Sequence, residues 1–380
     1  MLESFYNRFI YSLESLLKPK YWYLYTALFT FAVICFLTAP NYFAFTKGYQ
    51  SCPACVDYQA KINRADHLLK PDHYVDAYHM AKTQFRITVP LIAKITGIRS
   101  VIAMFMIQQL FGLLFLAIAC LLTYKITSDK VISSILTLSL GFIYAGKAAF
   151  VDTVGFTDSF AYCFLLCALF TKNKPLLILN LQLAFFTDER AIITSSIIAI
   201  YFFVEYLQTT NNKFHWDTFV KSRLFVIFIS WALCFLIRYL LHVFYGFRTP
   251  FDGFIDFSAF GYFFWEGLKG FWLLVIGCCI YLFLEKRYFI LVLVITAISI
   301  ILATTAMVSD VTRSVAYIFP IIFLAVFIFE QAVSRAQLRK IVIIAGLISF
   351  LSADSFYVVG SQPIFYRSLP VKILDKLFKK

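Results

Sequence analysis

Charged residues are scarce in this chain. Asp, Glu, Lys and Arg together make up 14% of its 380 residues, whereas 61% of the residues are hydrophobic. This composition excludes a soluble domain and is typical of a polytopic helical membrane protein. We expect an all-α fold of about eleven transmembrane helices, with nine to twelve as the limits, in a single integral membrane domain over residues 1–380.

Several catalytic motifs are missing as well. The sequence has no Walker loop, no GxSxG elbow, no HExxH and no repeated CxxC. Nucleotide-driven pumping, serine hydrolysis and HExxH-type zinc proteolysis are therefore unsupported. The net charge of +13 does not indicate nucleic-acid binding, because Lys and Arg are scattered through short loops between apolar runs. It indicates loops retained on the cytoplasmic face and contact with anionic lipid.

The apolar runs and the positive-inside rule predict the topology. Residues 1–20 are expected to form a cytoplasmic amphipathic helix, and residues 43–100 a non-cytoplasmic loop with interfacial helices. The pair 158–172 and 174–187 is short for two spans, so a re-entrant hairpin is the alternative there. The expected spans are 21–42, 101–124, 131–150, 158–172, 174–187, 190–208, 223–246, 266–284, 288–308, 314–333 and 340–358.

Acidic residues concentrate on one predicted side of the membrane. Fourteen of the 21 acids fall at or beyond the non-cytoplasmic ends of the apolar runs, with compact clusters at 152–158, 187–190 and 310–313. Ionisable groups at membrane depth are costly, so these clusters are candidate functional sites. The alternative interpretation is that they cap helix ends in water.

Arginine near these clusters suits phosphate binding, because its planar fork of donors matches phosphate oxygens. Arg238 lies inside an apolar run and is expected either to pair with an acid of another span or to bind a lipid phosphate. Arg190 and Arg313 have neighbouring carboxylates, so structural salt bridges compete with substrate contact. The candidate substrate-binding residues are Asp158, Asp188, Glu189, Arg190, Arg238, His242, Asp310, Arg313, His73 and His79.

The layout resembles the GT-C glycosyltransferase superfamily. The shared features are a short first span, a first outer loop with acidic residues and interfacial helices, and many later spans with acidic outer ends. The stretch from Asp76 to Arg86, followed by Val-Pro-Leu-Ile-Ala, is similar to the first-loop region of bacterial members. The resemblance implies an enzyme of the bacterial inner membrane. Such an enzyme transfers a sugar from a polyprenyl-phosphate donor to an envelope glycan, lipid or protein on the non-cytoplasmic face.

Glycosyl transfer needs a base for the acceptor hydroxyl. Asp72 and Asp76 are four residues apart and share one helix face, so they and Asp66 are the expected catalytic residues. His73 and His79 are titratable groups beside them, or else exposed loop histidines. Many GT-C members carry an adjacent acidic pair or Asp-x-Asp in this loop, whereas this chain has neither there. A divalent ion, Mg²⁺ or Mn²⁺, bridging the three aspartates and the donor phosphate fits their oxygen ligands, although no spacing requires it.

The same loop contains Cys52-Pro-Ala-Cys55. We expect a structural disulfide between Cys52 and Cys55 in a non-cytoplasmic compartment. An idle pair of thiols, or a redox or metal role, are the alternatives.

Two other functions stay open on the sequence alone. A transporter or flippase for a lipid-linked or anionic substrate could use the same buried charges, although the internal repeats common in transporters are missing. A non-catalytic GT-C-like subunit of an envelope-assembly complex is the third. In each case the expected partners are membrane lipid and, for the enzyme, the polyprenyl-phosphate sugar donor, with no nucleic acid.

Overall fold

The computed structural model describes residues 2–40, 42, 56–70, 83–210, 213–248, 260–308, 310–352, 355–356 and 364–378. Within these ranges the regular secondary structure is helical apart from one short antiparallel pair of strands, β1 (Ser355–Phe356) and β2 (Ile364–Phe365). The predicted all-α fold is confirmed.

The helices before residue 210 include one long helix, α5, of 27 residues, and two short helices, α3 and α4, inside the predicted first outer loop. Their bounds are α1 Leu2–Leu16, α2 Trp22–Thr38, α3 Val56–Arg64, α4 Thr88–Thr96, α5 Val101–Thr127, α6 Lys130–Leu140, α7 Tyr144–Val151, α8 Asp158–Phe170, α9 Lys174–Phe185 and α10 Arg190–Thr209.

The later helices include two that continue through short 3₁₀ turns, α13 into α14 and α16 into α17. Their bounds are α11 Trp216–Lys221, α12 Arg223–Tyr245, α13 Phe260–Leu268, α14 Trp272–Leu284, α15 Tyr288–Ala306, α16 Val311–Val315, α17 Pro320–Ala332, α18 Arg335–Leu351 and α19 Leu369–Phe378.

Polar residues in short connections fix where several helices begin. The Asp129 carboxylate accepts the first backbone N–H groups of α6, and the Asn173 side chain does the same for α9. Ser222 caps α12, and Ser334 begins α18 with a reciprocal capping box. Such caps satisfy N–H groups that have no partner within the helix. They explain why these apolar helices start at the residues observed.

Six helical segments in the described part of the chain are long and apolar enough to cross a membrane. They are Val101–Thr127, Arg190–Thr209, Arg223–Tyr245, Phe264–Leu284, Tyr288–Ala306 and Val311–Ala332. The bent pair α6 and α7 would make a seventh if it is one span. The chain is therefore a helical membrane protein by length and composition.

The predicted count of about eleven spans is not confirmed. The expected first span and the expected pair at 158–187 correspond to shorter apolar helices, α2, α8 and α9, of 17, 13 and 12 residues. At 1.5 Å per residue the last two reach only about 20 Å, against a hydrocarbon core of about 30 Å. Length alone therefore does not make them full spans.

Polar contacts bring several helix termini together at one end of the bundle, which we call the α1 end. Arg339 at the start of α18 binds Glu14 of α1 and Asp129 before α6. Lys125 near the end of α5 donates to the carbonyl of Phe170, the last residue of α8. Helix α1 is thus tied to the bundle at the end where the predicted cytoplasmic loops lie.

Other helix termini meet at the opposite end of the bundle, which we call the carboxylate end. The Tyr42 hydroxyl, just beyond α2, donates to the carbonyl of Phe150 in α7. Lys372 of the C-terminal helix α19 donates to the carbonyl of Ala39. Helix α19 therefore lies at the same end as the termini of α2 and α7.

Two features organise the interior. The segment Val311–Ala332 is its centre, since 94% of its apolar window is buried, against 33–61% for the other five long segments.

The second feature is a break between α6 and α7, which are bent by 59° at residues 141–143. A Cβ on Gly146 would lie 2.1 Å from the carbonyl oxygen of Leu140, so only glycine permits this close approach. The last residues of α7, beyond this break, lie at the carboxylate end.

Candidate functional site

The three acidic clusters predicted from the sequence meet at the carboxylate end. Asp158 begins α8, Asp188 lies in the turn before α10, and Asp310 directly precedes α16. Because these helices pack side by side and start at the same end, their first residues converge. Two arginines lie between the carboxylates.

Arg190 connects two of the clusters. Its Nε and Nη2 atoms donate to the two carboxylate oxygens of Asp188 at 2.7 Å each, and Nη2 also reaches Asp158 at 2.9 Å. Its Nη1 atom donates to the Ser314 hydroxyl at 2.6 Å. All three nitrogens of this guanidinium are therefore engaged inside the protein.

Arg313 connects Asp158 to the third cluster. Its Nε donates to Asp158 at 2.5 Å and its Nη1 to Asp310 at 2.6 Å. The guanidinium lies 3.8 Å from the centre of the Phe156 ring, in a cation–π contact. Asp158 thus accepts from two arginines while its side chain is only 2% exposed. Pairing of this kind is what allows an ionised carboxylate to stay buried.

Arg86 extends the network to the first outer loop, and the sequence analysis did not single it out. Its Nε and Nη2 atoms bind the two oxygens of Glu189 at 3.1 and 2.7 Å, and Nη2 lies 3.2 Å from Asp188. Burial opposes ionisation of Asp188, but the guanidiniums of Arg190 and Arg86 hold the pKa of its carboxyl well below the usual range. Cations are common in interfacial segments, so no local signal distinguished Arg86.

Together these residues form what we call the arginine network: Arg86, Arg190 and Arg313 with Asp158, Asp188, Glu189 and Asp310. Asp158 and Asp188 lie inside it, whereas Glu189 and Asp310 lie at its rim, with about a third of each side chain exposed. The inner carboxylates cannot meet a substrate unless an arginine moves. Among the four carboxylates of the network, Glu189 and Asp310 are the ones that reach solvent.

The 152–158 cluster contains a tight turn as well as the network residue Asp158. The Asp152 carboxylate accepts from the backbone N–H groups of Val154, Gly155 and Thr157 at 2.9–3.0 Å. Burial raises the pKa of this carboxyl, and the hydrogen bonds from Thr157 and Gly155 oppose that shift. Asp152 therefore stabilises the connection between α7 and α8 from a buried position.

Helix α3 of the first outer loop docks onto this turn. Tyr58 is fully buried against Gly155, whose φ of +99° favours glycine. The Lys61 ammonium donates to the carbonyls of Gly155 and, at 3.1 Å, Phe156. Helix α3 is thereby fixed against the α7–α8 connection, whose Phe156 contacts Arg313 of the network.

Arg238 differs from the network arginines. It is partly buried on α12, and its guanidinium lies 4.6 Å from the centre of the Phe85 ring. It forms no ion pair with a residue that the structure describes, and its buried Nε has no hydrogen-bond partner there. One turn later, His242 Nδ1 lies 2.7 Å from the carbonyl oxygen of Phe247. Arg238 therefore does not form the ion pair that one of the two alternatives expected, at least with any acid that the structure describes.

The remaining candidates lie in the first outer loop. Asp66 is on the surface, paired with Arg99 at 2.6 Å, and more than half of each side chain is exposed. Among the described residues, no group of three or more His, Cys, Asp or Glu side chains is arranged to hold a metal ion. The other predicted residues of this loop lie outside the described residues: Asp72, Asp76, His73, His79, Cys52 and Cys55.

Comparison with known proteins leaves the family open. No family model matches the chain, and neither the curated proteins nor the solved structures include a match to it.

Proposed function

We propose that the chain is a GT-C-like membrane glycosyltransferase that moves a sugar from a polyprenyl-phosphate donor to an envelope acceptor at the carboxylate end. The observation that supports this most directly is Arg238, a cation within an apolar helix that has no described carboxylate partner. The assignment of sugar transfer rests on the architectural resemblance of the sequence to the GT-C superfamily.

A lipid-borne phosphate suits the surroundings of Arg238. Its neighbours on α12, including Phe235 and Tyr239, are more than half exposed and offer an apolar surface to a polyprenyl chain. An arginine within a span requires an anionic or polar partner, and its planar fork matches phosphate oxygens. A polyprenyl phosphate would supply an anionic partner for Arg238 and an apolar chain to cover Phe235 and Tyr239.

The segment 83–87 connects this surface to the arginine network. Phe85 stacks against Arg238, and the next residue, Arg86, binds Glu189 and Asp188. A donor phosphate at Arg238 would therefore lie near the exposed rim of the network. Asp72 or Asp76 remains the proposed base, and Glu189 is the described carboxylate best exposed near Arg86 to replace them.

The test is a transfer assay with purified protein in proteoliposomes and a panel of polyprenyl-phosphate hexoses and pentoses. Arg238→Gln should raise the KM for the donor by roughly tenfold or more, the usual size of a lost hydrogen bond to a charged group. Asp76→Asn and Asp72→Asn should lower kcat instead, because an amide keeps the shape but cannot act as a base.

Arg367→Gln is the matched control, since it removes the same charge from a solvent-exposed pair, Arg367 with Asp375, that contains no candidate site residue. It should leave both constants unchanged. Failure of every donor to give a product would overturn the enzyme proposal, and an unchanged KM in Arg238→Gln would overturn the role of Arg238.

One observation favours a transporter or flippase as the second candidate. The α6–α7 segment is broken by 59° in the interior, and broken helices often line transport sites. A translocation assay with a fluorescent lipid-linked sugar in vesicles separates the two functions. Movement of intact lipid across the bilayer without a transfer product would favour the transporter.

A further inference from the structure

A polar cavity lies at the α1 end, opposite the arginine network. It has a volume of about 350 Å³, within the usual range for small-ligand sites, and it opens between α1, the α5–α6 turn and the start of α18. Six charged side chains line it: Glu14, Lys18, Asp129, Lys130, Arg335 and Arg339. Four are cations and two are carboxylates, so the lining has an excess of two positive charges.

Both carboxylates of this cavity are already engaged. Arg339 binds Asp129 through Nε at 2.6 Å and Glu14 through Nη2 at 2.9 Å. Asp129 also accepts the N–H groups that begin α6. Arg339 therefore pairs with both carboxylates of the cavity. Neither carboxylate forms an ion pair with one of the other three cations.

The remaining cations have few partners of their own. Lys130 donates to the carbonyl of Leu17 at 2.9 Å and lies over the Trp22 ring. Lys18 and Arg335 are exposed, and neither forms an ion pair with a residue in the described part of the chain. The cavity thus presents two side chains that are free to bind an anion and a third whose charge is uncompensated.

An apolar surface lies beside this cavity. Leu16 and Tyr11 of α1 are 72% and 74% exposed, although Ile10 of α1 and Leu17 just after it are buried against the bundle. Tyr124, which lines the cavity, is also exposed. A helix that packs one side on protein and leaves aromatic and Leu side chains uncovered beside cations is typical of the membrane interface.

We propose that this cavity binds the phosphate of an anionic phospholipid headgroup from the leaflet that contacts α1. Lys18 and Arg335 contact the phosphate oxygens, Lys130 adds a third positive charge, and the acyl chains lie along Leu16 and Tyr124. Free phosphate shares the headgroup chemistry, but only a lipid also covers the exposed apolar side chains. Each basic group near a membrane surface adds about 1 kcal/mol of attraction to anionic lipid.

The experiment uses the full-length protein exchanged into nanodiscs of phosphatidylcholine with a minority of phosphatidylglycerol, followed by release and native mass spectrometry. The wild type should retain phosphatidylglycerol selectively. The double variant Lys18→Gln/Arg335→Gln should lower that retention by about tenfold, the effect of roughly 1.4 kcal/mol. Lys18→Gln alone, an exposed change just after α1, should give a smaller loss in the same direction.

Lys172→Gln/Lys221→Gln is the matched control, because both lysines are exposed and lie in or beside connections at the same end. It removes the same charge and should leave phosphatidylglycerol retention unchanged. Equal losses in the two double variants would indicate a general charge effect and overturn the site. Displacement of the lipid by millimolar inorganic phosphate would show that free phosphate is the ligand and overturn the lipid assignment. This proposal does not depend on the proposed glycosyl transfer.

Discussion

Arg313 and Arg238 both lie in apolar helices, yet their surroundings are opposite. The Arg313 side chain is 4% exposed and binds Asp158 and Asp310, whereas Arg238 is partly exposed, stacks on Phe85 and binds no described carboxylate. A buried arginine whose charge is compensated within the protein stabilises the bundle. One that lacks such compensation remains available for a ligand. The contrast separates structural from binding roles more clearly than position along the sequence does.

The largest expected effect on stability comes from removing Arg313, the arginine whose charge is compensated by carboxylates. Arg313→Ala leaves Asp158 with one fewer cation in a buried position, and loss of one partner of a buried pair costs about 3–5 kcal/mol. The free energy of unfolding in mixed micelles, or the thermal midpoint in detergent, should fall accordingly. Arg99→Ala breaks an exposed pair and should cost less than about 1 kcal/mol. Equal losses for the two variants would contradict a structural role for the network.

A smaller effect is expected where the outer loop meets the network. In Gly155→Ala the new Cβ would lie 2.6 Å from the Tyr58 ring, and alanine is strained at the φ of +99°. The docking of α3 should be weakened by about 1–3 kcal/mol, measured as lost hydrogen-exchange protection over residues 56–64.

Gly97→Ala is its matched control. Gly97 also has a positive φ, of +68°, but a Cβ added there would have no other atom within 4 Å, so only backbone strain is added. Unchanged protection of α3 in Gly155→Ala would show that this contact does not hold the outer loop.

Much of the fold could be predicted from the sequence, because long apolar runs demand helices whatever they pack against. The convergence of Asp158, Asp188 and Asp310 could also be expected, since each flanks a helix end on the same predicted side. The span count could not, because α8 and α9 are too short for length to decide how they cross. The break near Gly146 depends on one close backbone contact that no periodicity reveals.

Which residues pair with each other inside the arginine network could not be predicted from the sequence. Asp158 accepts hydrogen bonds from Arg190, 32 residues away, and from Arg313, 155 residues away. Partners so distant in the sequence are determined by how the helices pack. The sequence left open whether Arg190 and Arg313 form salt bridges or contact substrate, and the geometry favours the salt bridges. Arg86 was missed because a cation in an interfacial segment has no distinguishing local pattern.

The uncompensated side of the comparison predicts a small effect on stability. Arg238→Met removes a charge that no described carboxylate balances and keeps an apolar side chain of similar length against Phe85. The free energy of unfolding should stay within about 1 kcal/mol of the wild type or rise, because replacing a poorly compensated buried charge with an apolar group is often neutral or stabilising. A loss as large as that of Arg313→Ala would mean that Arg238 has a structural partner.

Lys61 is the intermediate case, a partly buried cation held by carbonyl oxygens. Burial lowers its pKa to about 8, Asp57 and Asp152 oppose this shift, and Arg86 and Arg313 add to it. Once α3 undocks, the pKa returns toward 10.5, so between about pH 8 and pH 10.5 the docked state binds fewer protons than the undocked one. Docking is therefore less stable below pH 8 and gains stability as the pH rises through this window.

We expect hydrogen-exchange protection of α3, corrected for intrinsic exchange, to be a few-fold higher at pH 9.5 than at pH 7.5. The effect is the smallest of the four because solvent screens a partly exposed ammonium. Lys61→Met should flatten the dependence, since it keeps the apolar stem and removes the titrating group. If protection in the wild type falls over this range, or if Lys61→Met keeps the same slope, another group titrates there. The carbonyls of Gly155 and Phe156 would then be sufficient acceptors for the charged lysine, which would belong with the compensated cations.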